Sequence, residues 1–363
     1  MPASSNSLLL GTAKGLVIID LIRNPKIVEV HFAGFAVNMV FVDERNGRWW
    51  IGVSHKHWGQ KLHYSDTHGA DWYEIPAPKF NGAKLPNGSV AKLRQIWCMQ
   101  SGGGDQPDVL WLGTDPGGLF VSKDGGKTFN LVEGLWNHPS RRNESQWFGA
   151  GSDFPYIHSI VLNPKNSNHL YVAVSCAGVF ESRDNGATWQ ARNKGLTAAY
   201  LPNPNAEVGH DPHALKIPGS HANVLWQQNH CGIFLSTDAG ETWKDVSANS
   251  GLPSYGFALA VDDNRPARAW VIPADSDEKR IAPNLELKVF ETNNYGSSWE
   301  DVSNGLPYHF AFDIALRQAF TQRDDYLVFG TTNGNVYLSK GPKTAWQTIA
   351  ENLAKVNCTV LTN

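Results

Sequence analysis

An all-β protein, built as a ring of seven four-stranded sheets in a β-propeller, is the fold class that this 363-residue sequence predicts. Two observations carry it. An octapeptide recurs about every 47 to 60 residues along the chain, close to the length of one four-stranded blade with its loops. The composition, with 34 Gly, 20 Pro, 14 Trp and only 18% charged residues, signals many tight turns and many large aromatic anchors.

The octapeptide is clearest as SKDGGKTF from Ser122, SRDNGATW from Ser182 and STDAGETW from Ser236. Weaker copies start at Ser65 (SDTHGADW), Thr292 (TNNYGSSW) and Ser339 (SKGPKTAW). Its Ser/Thr and Asp side chains bond local backbone in a tight turn, its Gly supplies a positive φ, and its closing aromatic packs under a neighbouring strand. Around SRDNGATW, short apolar runs bounded by Gly, Asn and Pro read as strands: HSIVLNP, LYVAVS and GVFES before it, WQARN after it. We label these A to D from axis to rim. Second strands recur as WWIGV, VLWLGT, VLWQQN, AWVIP and YLVFGT, and third strands as LHYS, GLFVS, GIFLS, LKVFET and NVYLS. Six units are thereby placed between residues 36 and 350. The ends supply a seventh: LLLGT (8–12) and GLVIID (15–20) match strands B and C, and VNCTVLT (356–362) is an orphan strand A. Sharing one blade between the two ends closes the ring and leaves no free sheet edge. The expectation is a single propeller domain over residues 1–363.

Thirty-four acidic against 31 basic residues, a formal charge of -3, provide no field for nucleic acid or anionic lipid. The apolar stretch near the N-terminus follows no basic run and is broken by Gly11, Lys14 and Gly15, which excludes a signal peptide or membrane span and predicts a cytoplasmic protein. Four scattered cysteines (Cys98, Cys176, Cys231, Cys358) read as reduced thiols.

The octapeptides resemble the Asp-box, or BNR, repeat of sialidases, xyloglucan hydrolases, sortilin-type receptors and photosystem II assembly factors. The resemblance implies a propeller with the box between strands C and D, on the face away from the active site. The strings GLWNHPSR, GHDPH, QQNHCG and SDEKR are similar to those of bacterial proteins grouped as sialidase-like or glycosyl hydrolases. The FRIP-like segment of true sialidases is missing, and one propeller departs from the two-propeller build of xyloglucan hydrolases.

In a propeller the B–C and D–A loops share one face, and here the long ones run over 80–91, 133–156, 194–212 and 275–286. Topology directs His55 and His57 (SHKHWG), His230 (NHCG), His158 and His213 toward that face as candidate ligands for Zn, Fe, Mn or Cu, with His309 the weakest addition. Asp211 and Glu278 are candidate bases beside His230, and Asp153, Asp275, Asp277 and Glu144 are further carboxylates for glycoside chemistry. Trp58, Trp136, Trp147 and Tyr156 are candidate stacking surfaces for a sugar, with Phe148, Tyr200, Tyr255 and Tyr308 near them. Arg142, with Arg141, Lys279 and Arg280, is a candidate carboxylate or phosphate clamp. Cys176 and Cys231 occupy matching turns, read as small turn residues before nucleophiles. The predicted function is a hydrolase for a carbohydrate-like or small-molecule substrate with a histidine-rich, metal-binding mouth. A non-catalytic binding scaffold and a multi-histidine metal oxygenase are the alternatives.

Overall fold

The alternating apolar segments pair locally into seven antiparallel four-stranded blades, the sixth and seventh joined by one parallel bridge between Gln318 and Cys358. The computed structural model describes residues 7–143, 146–219, 221–248, 250–341 and 345–362. In the order A to D, blade 1 comprises Ala36–Asp43, Arg48–His55, Gly59–Ser65 and Tyr73–Ile75, and blade 2 Gln95–Ser101, Leu110–Asp115, Leu119–Ser122 and Asn130–Leu131. Blade 3 comprises Ile157–Leu162, Leu170–Val174, Gly178–Ser182 and Gln190–Ala191, and blade 4 Pro212–Lys216, Leu225–Asn229, Gly232–Ser236 and Lys244–Asp245. Blade 5 comprises Gly256–Val261, Ala269–Pro273, Phe290–Thr292 and Glu300–Asp301, and blade 6 Ala315–Arg323, Tyr326–Thr331, Val336–Lys340 and Gln347–Ala350. Blade 7 takes strand A from Val356–Leu361 and strands B, C and D from Ser7–Thr12, Gly15–Asp20 and Lys26–His31. The ring is closed by the ladder that pairs Leu8 with Leu361 and Leu10 with Thr359.

The octapeptides lie on the C–D turns. In the three clear copies, Ser122, Ser182 and Ser236 each accept from the amide four residues on (Gly126, Gly186, Gly240), and Asp124, Asp184 and Asp238 each accept from both the amide and the hydroxyl of Thr128, Thr188 and Thr242. The copy from Ser339 falls partly outside the described residues.

Adjacent blades approach closely because of a recurring glycine in strand B. A Cβ on Gly11, Gly52, Gly113 or Gly330 would meet the inner strand of the next blade, at Val37, Ile96, Ile157 and Val356 respectively. The cores between blades are filled by buried Trp50, Trp111, Trp226 and Trp270 from strand B. His169 is buried in blade 3, where its ring meets Glu181, which also binds Arg183 and Arg192. No helix among the described residues is long and apolar enough to cross a membrane.

Candidate functional site

One irregularity, repeated around the ring, builds the site. In blades 1 to 5 and 7, the ladder between strands A and B skips one residue near the start of strand A: Asn38, Trp97, His158, His213, Phe257 and Asn357. In blade 6 the ladder breaks more widely, between Ala315 and Phe320, and that break holds Leu316, Arg317 and Gln318. Such bulges re-aim a side chain out of the sheet. All of these except His158 line one cavity of about 700 Å³, bounded also by D–A and B–C loop residues. Arg317 and Gln318 face a second cavity of about 500 Å³ along the inner strands as well.

Within the first cavity, Asp211, His213 and His230 converge, with one ligand-capable atom from each lying within 4.8 Å of the others. Asp211 Oδ2 is 3.2 Å from His213 Nε2 and 3.8 Å from His230 Nδ1. Asp211 Oδ1 accepts from the Ser175 hydroxyl (3.0 Å) and the Cys176 amide (3.1 Å), and the His230 amide donates to the Asp211 carbonyl (2.9 Å). Burial alone would push the Asp211 carboxyl up. The contacts with His213, the Arg317 guanidinium and the Cys176 amide outweigh it and hold the group below the usual carboxylate range. Burial pushes the His213 imidazole down, against the opposing pull of Asp211. The edges of Tyr200 and Tyr255 pack around the His230 ring.

Elsewhere in the cavity, Asp115 ends strand B of blade 2. Burial raises its carboxyl, partly offset by the Ser152 hydroxyl, which donates to Oδ2 at 2.6 Å, and by Arg94. Its Oδ1 is buried without a hydrogen-bond partner. Trp97 and Tyr156 stack nearly parallel, with centroids 4.6 Å apart, and Arg317 lies over the faces of Tyr156 and Phe257.

Of the residues singled out from sequence, Asp211, His213, His230 and Tyr156 meet here, and Asp153, Asp277, Tyr255 and Arg280 also line the cavity. The other expectations are corrected. His55 ends strand B of blade 1, where its Nδ1 accepts the amides of His57 and Trp58 and its ring stacks on Phe35; neither it nor exposed His57 lines the cavity. His158 occupies a bulge but spends both nitrogens, donating from Nε2 to the Pro212 carbonyl (2.7 Å) and accepting from Ser159 at Nδ1 (2.9 Å). Burial pushes it down to about 3. His309 precedes its inner strand and is exposed beside Tyr308.

Glu278 is exposed, and its neighbour Asp277 faces the cavity instead. Trp58 is 75% exposed and outside the cavity lining. Trp136 and Trp147 are buried, their rings flanking the guanidinium of buried Arg141, which donates to the Gly117 carbonyl; Arg142 is exposed. This cluster packs the 133–156 loop that delivers Ser152 to Asp115. Cys176 has a positive φ of 53° and a thiol pushed up by burial and by Asp211, which suits a turn and not a nucleophile. Glu144 lies outside the described residues.

Asp115, Trp97, Arg317 and Gln318 escaped the sequence reading. A signal for some was present: aligning VNM, IWC, IHS, PHA, GFA and VNC at the starts of the inner strands puts Asn38, Trp97, His158, His213, Phe257 and Asn357 in one column.

No family model matches the chain. It is similar to the oligoxyloglucan-reducing end-specific xyloglucanase of Emericella nidulans, 24% identical over 224 residues, covering 54% of this chain and 26% of that protein. It is similar also to vacuolar protein sorting/targeting protein 10 of the same organism, 24% identical over 263 residues, covering 69% of this chain and 16% of that protein. The chain thus spans about a quarter or less of these curated relatives. Among solved structures, the GH74 enzyme of Niastella koreensis superimposes with a TM-score of 0.64 at 15% identity, over 97% of this chain and 53% of that one.

Proposed function

We propose that this chain hydrolyses a glycosidic bond of a carbohydrate held in the axial cavity, and that its octapeptides are Asp-box repeats. One observation carries the reading: a single aromatic-lined cavity holds a carboxyl kept toward its neutral form, Asp115, and a carboxylate kept ionised, Asp211. Pairs of acids driven apart in this way divide into proton donor and base. Asp115 gives its proton to the leaving oxygen as the bond from the anomeric carbon to that oxygen breaks. Water forms the new bond to that carbon and gives its proton to His230, which Asp211 orients. Half-buried Trp97, backed by the stacked ring of buried Tyr156, offers a flat face for a sugar ring. The similarity to a xyloglucanase supports a carbohydrate substrate.

A binding-only propeller is the second reading, favoured by the match to a sorting protein. Purified protein incubated with xyloglucan oligosaccharides and a panel of other glycans separates them. Hydrolysis is expected, reduced about 100-fold or more in both Asp115→Asn and His230→Ala with unchanged melting curves. Binding of a glycan with no cleavage establishes the second reading and ends the first.

A further inference from the structure

We infer that Asp211, His213 and His230 bind one divalent transition-metal ion at the wall of the axial cavity. Three ligand-capable atoms converge at this wall, one from each residue, all within 4.8 Å of one another. His213 Nδ1 lies 2.6 Å from the Gly256 carbonyl and Nε2 lies 3.2 Å from Asp211 Oδ2. With Nδ1 held by the shorter contact, Nε2 is the nitrogen placed to share a cation with the carboxylate.

The distances agree. Two ligand atoms each about 2.1 Å from a shared ion, at angles between octahedral and tetrahedral, lie roughly 3.0 to 3.4 Å apart. The pair at 3.2 Å fits, and the 3.8 Å from Asp211 to His230 closes by rotation of the His230 ring, the least buried of the three. The supporting contacts are those of a metal site: the second nitrogen of His213 donates to a backbone carbonyl, and the second oxygen of Asp211 is held by Ser175 and Cys176. Two imidazoles and one carboxylate, with the remaining positions open to the cavity, suit Zn²⁺ or Fe²⁺. The Arg317 guanidinium faces the same cavity and works against a cation, which points to micromolar affinity in place of the tightest structural sites.

The site rests on the hydrolase reading for its role and changes one part of it: with its lone pair on the ion His230 would no longer take the water's proton, and the ion itself would lower the pKa of a coordinated water. Metal binding is nevertheless measured without substrate, so either proposal can fail alone. Protein stripped with a chelator is titrated with Zn²⁺ by calorimetry, with Co²⁺ by visible absorption and with Fe²⁺ anaerobically. One equivalent is expected to bind at micromolar affinity or tighter. His230→Ala, at the least buried ligand, is expected to weaken it at least 10-fold with its melting curve unchanged, while the His55→Ala/His57→Ala double variant binds as the parent does. The inference is overturned if none of the three ions binds at one per chain, or if His230→Ala binds as tightly as the parent.

Discussion

The hydroxyl of Ser152 donates to Asp115 Oδ2 at 2.6 Å, joining the loop over 133–156 to the end of an inner-blade strand. This bond favours the ionised carboxylate, whereas burial favours the neutral acid. Its removal therefore raises the Asp115 pKa further. If Asp115 is the proton donor, activity falls as pH rises through that value, and Ser152→Ala moves the alkaline limb of the pH–rate profile to higher pH. A limb that stays in place or moves down would show that another group sets it.

The octapeptide turns are the acid-sensitive part of the fold. Hydrogen bonds from Thr128 hold Asp124 down to about 2, and Asp184 and Asp238 are held below the usual carboxylate range in the same way. Hydrogen bonds from His169, Arg183 and Arg192 outweigh burial and hold Glu181 down to about 2 as well. Groups with depressed folded pKa values contribute stability above their unfolded pKa of about 4 and lose it as pH falls through the folded value. Because Asp184 is exposed, Asp184→Ala is expected to cost only about 1 kcal/mol at pH 7. The gap between parent and variant melting temperatures is expected to narrow from pH 5 to pH 2. A gap that is constant with pH would remove the electrostatic account.

Blade spacing rests on small residues in strand B. A Cβ at Gly113 would come within 2.7 Å of Cys98 Sγ and of the Ile157 carbonyl, so Gly113→Val is expected to destabilise by about 2 to 3 kcal/mol in urea unfolding. Gly104→Val, at a position with open space around it, is the control and is expected to be near neutral. Equal midpoints for the two variants would contradict close blade contact at Gly113.

The ring was legible in the sequence because each blade repeats the same local solution: an octapeptide turn, a strand ending in Gly-Thr or its equivalent, and matching apolar runs. Even the blade shared between LLLGT and VNCTVLT could be placed. Strand C of blade 5 was overextended, since Leu287 and Val289 are buried without joining the ladder, and pairing begins at Phe290. The site was legible only in part. Loop topology directs every B–C histidine to one face, but local contacts decide which ones meet: His55 bonds the amides of its own loop and stacks on Phe35, whereas His230 is tied to Asp211. The decisive feature, a bulge at the head of each inner strand, changes hydrogen-bond register without changing apolar periodicity, so strand patterns do not reveal it. Trp136 and Trp147 were misplaced for another reason: a large aromatic in a long loop serves equally to anchor that loop, and here both pack on Arg141.

The most direct test is a crystal structure of Asp115→Asn soaked with xyloglucan oligosaccharides. A sugar ring against Trp97, with its glycosidic oxygen beside residue 115 and its anomeric carbon facing His230, is the expected result. A glycan bound only on the octapeptide face or the outer strands would contradict the assignment of the axial cavity as the site of action.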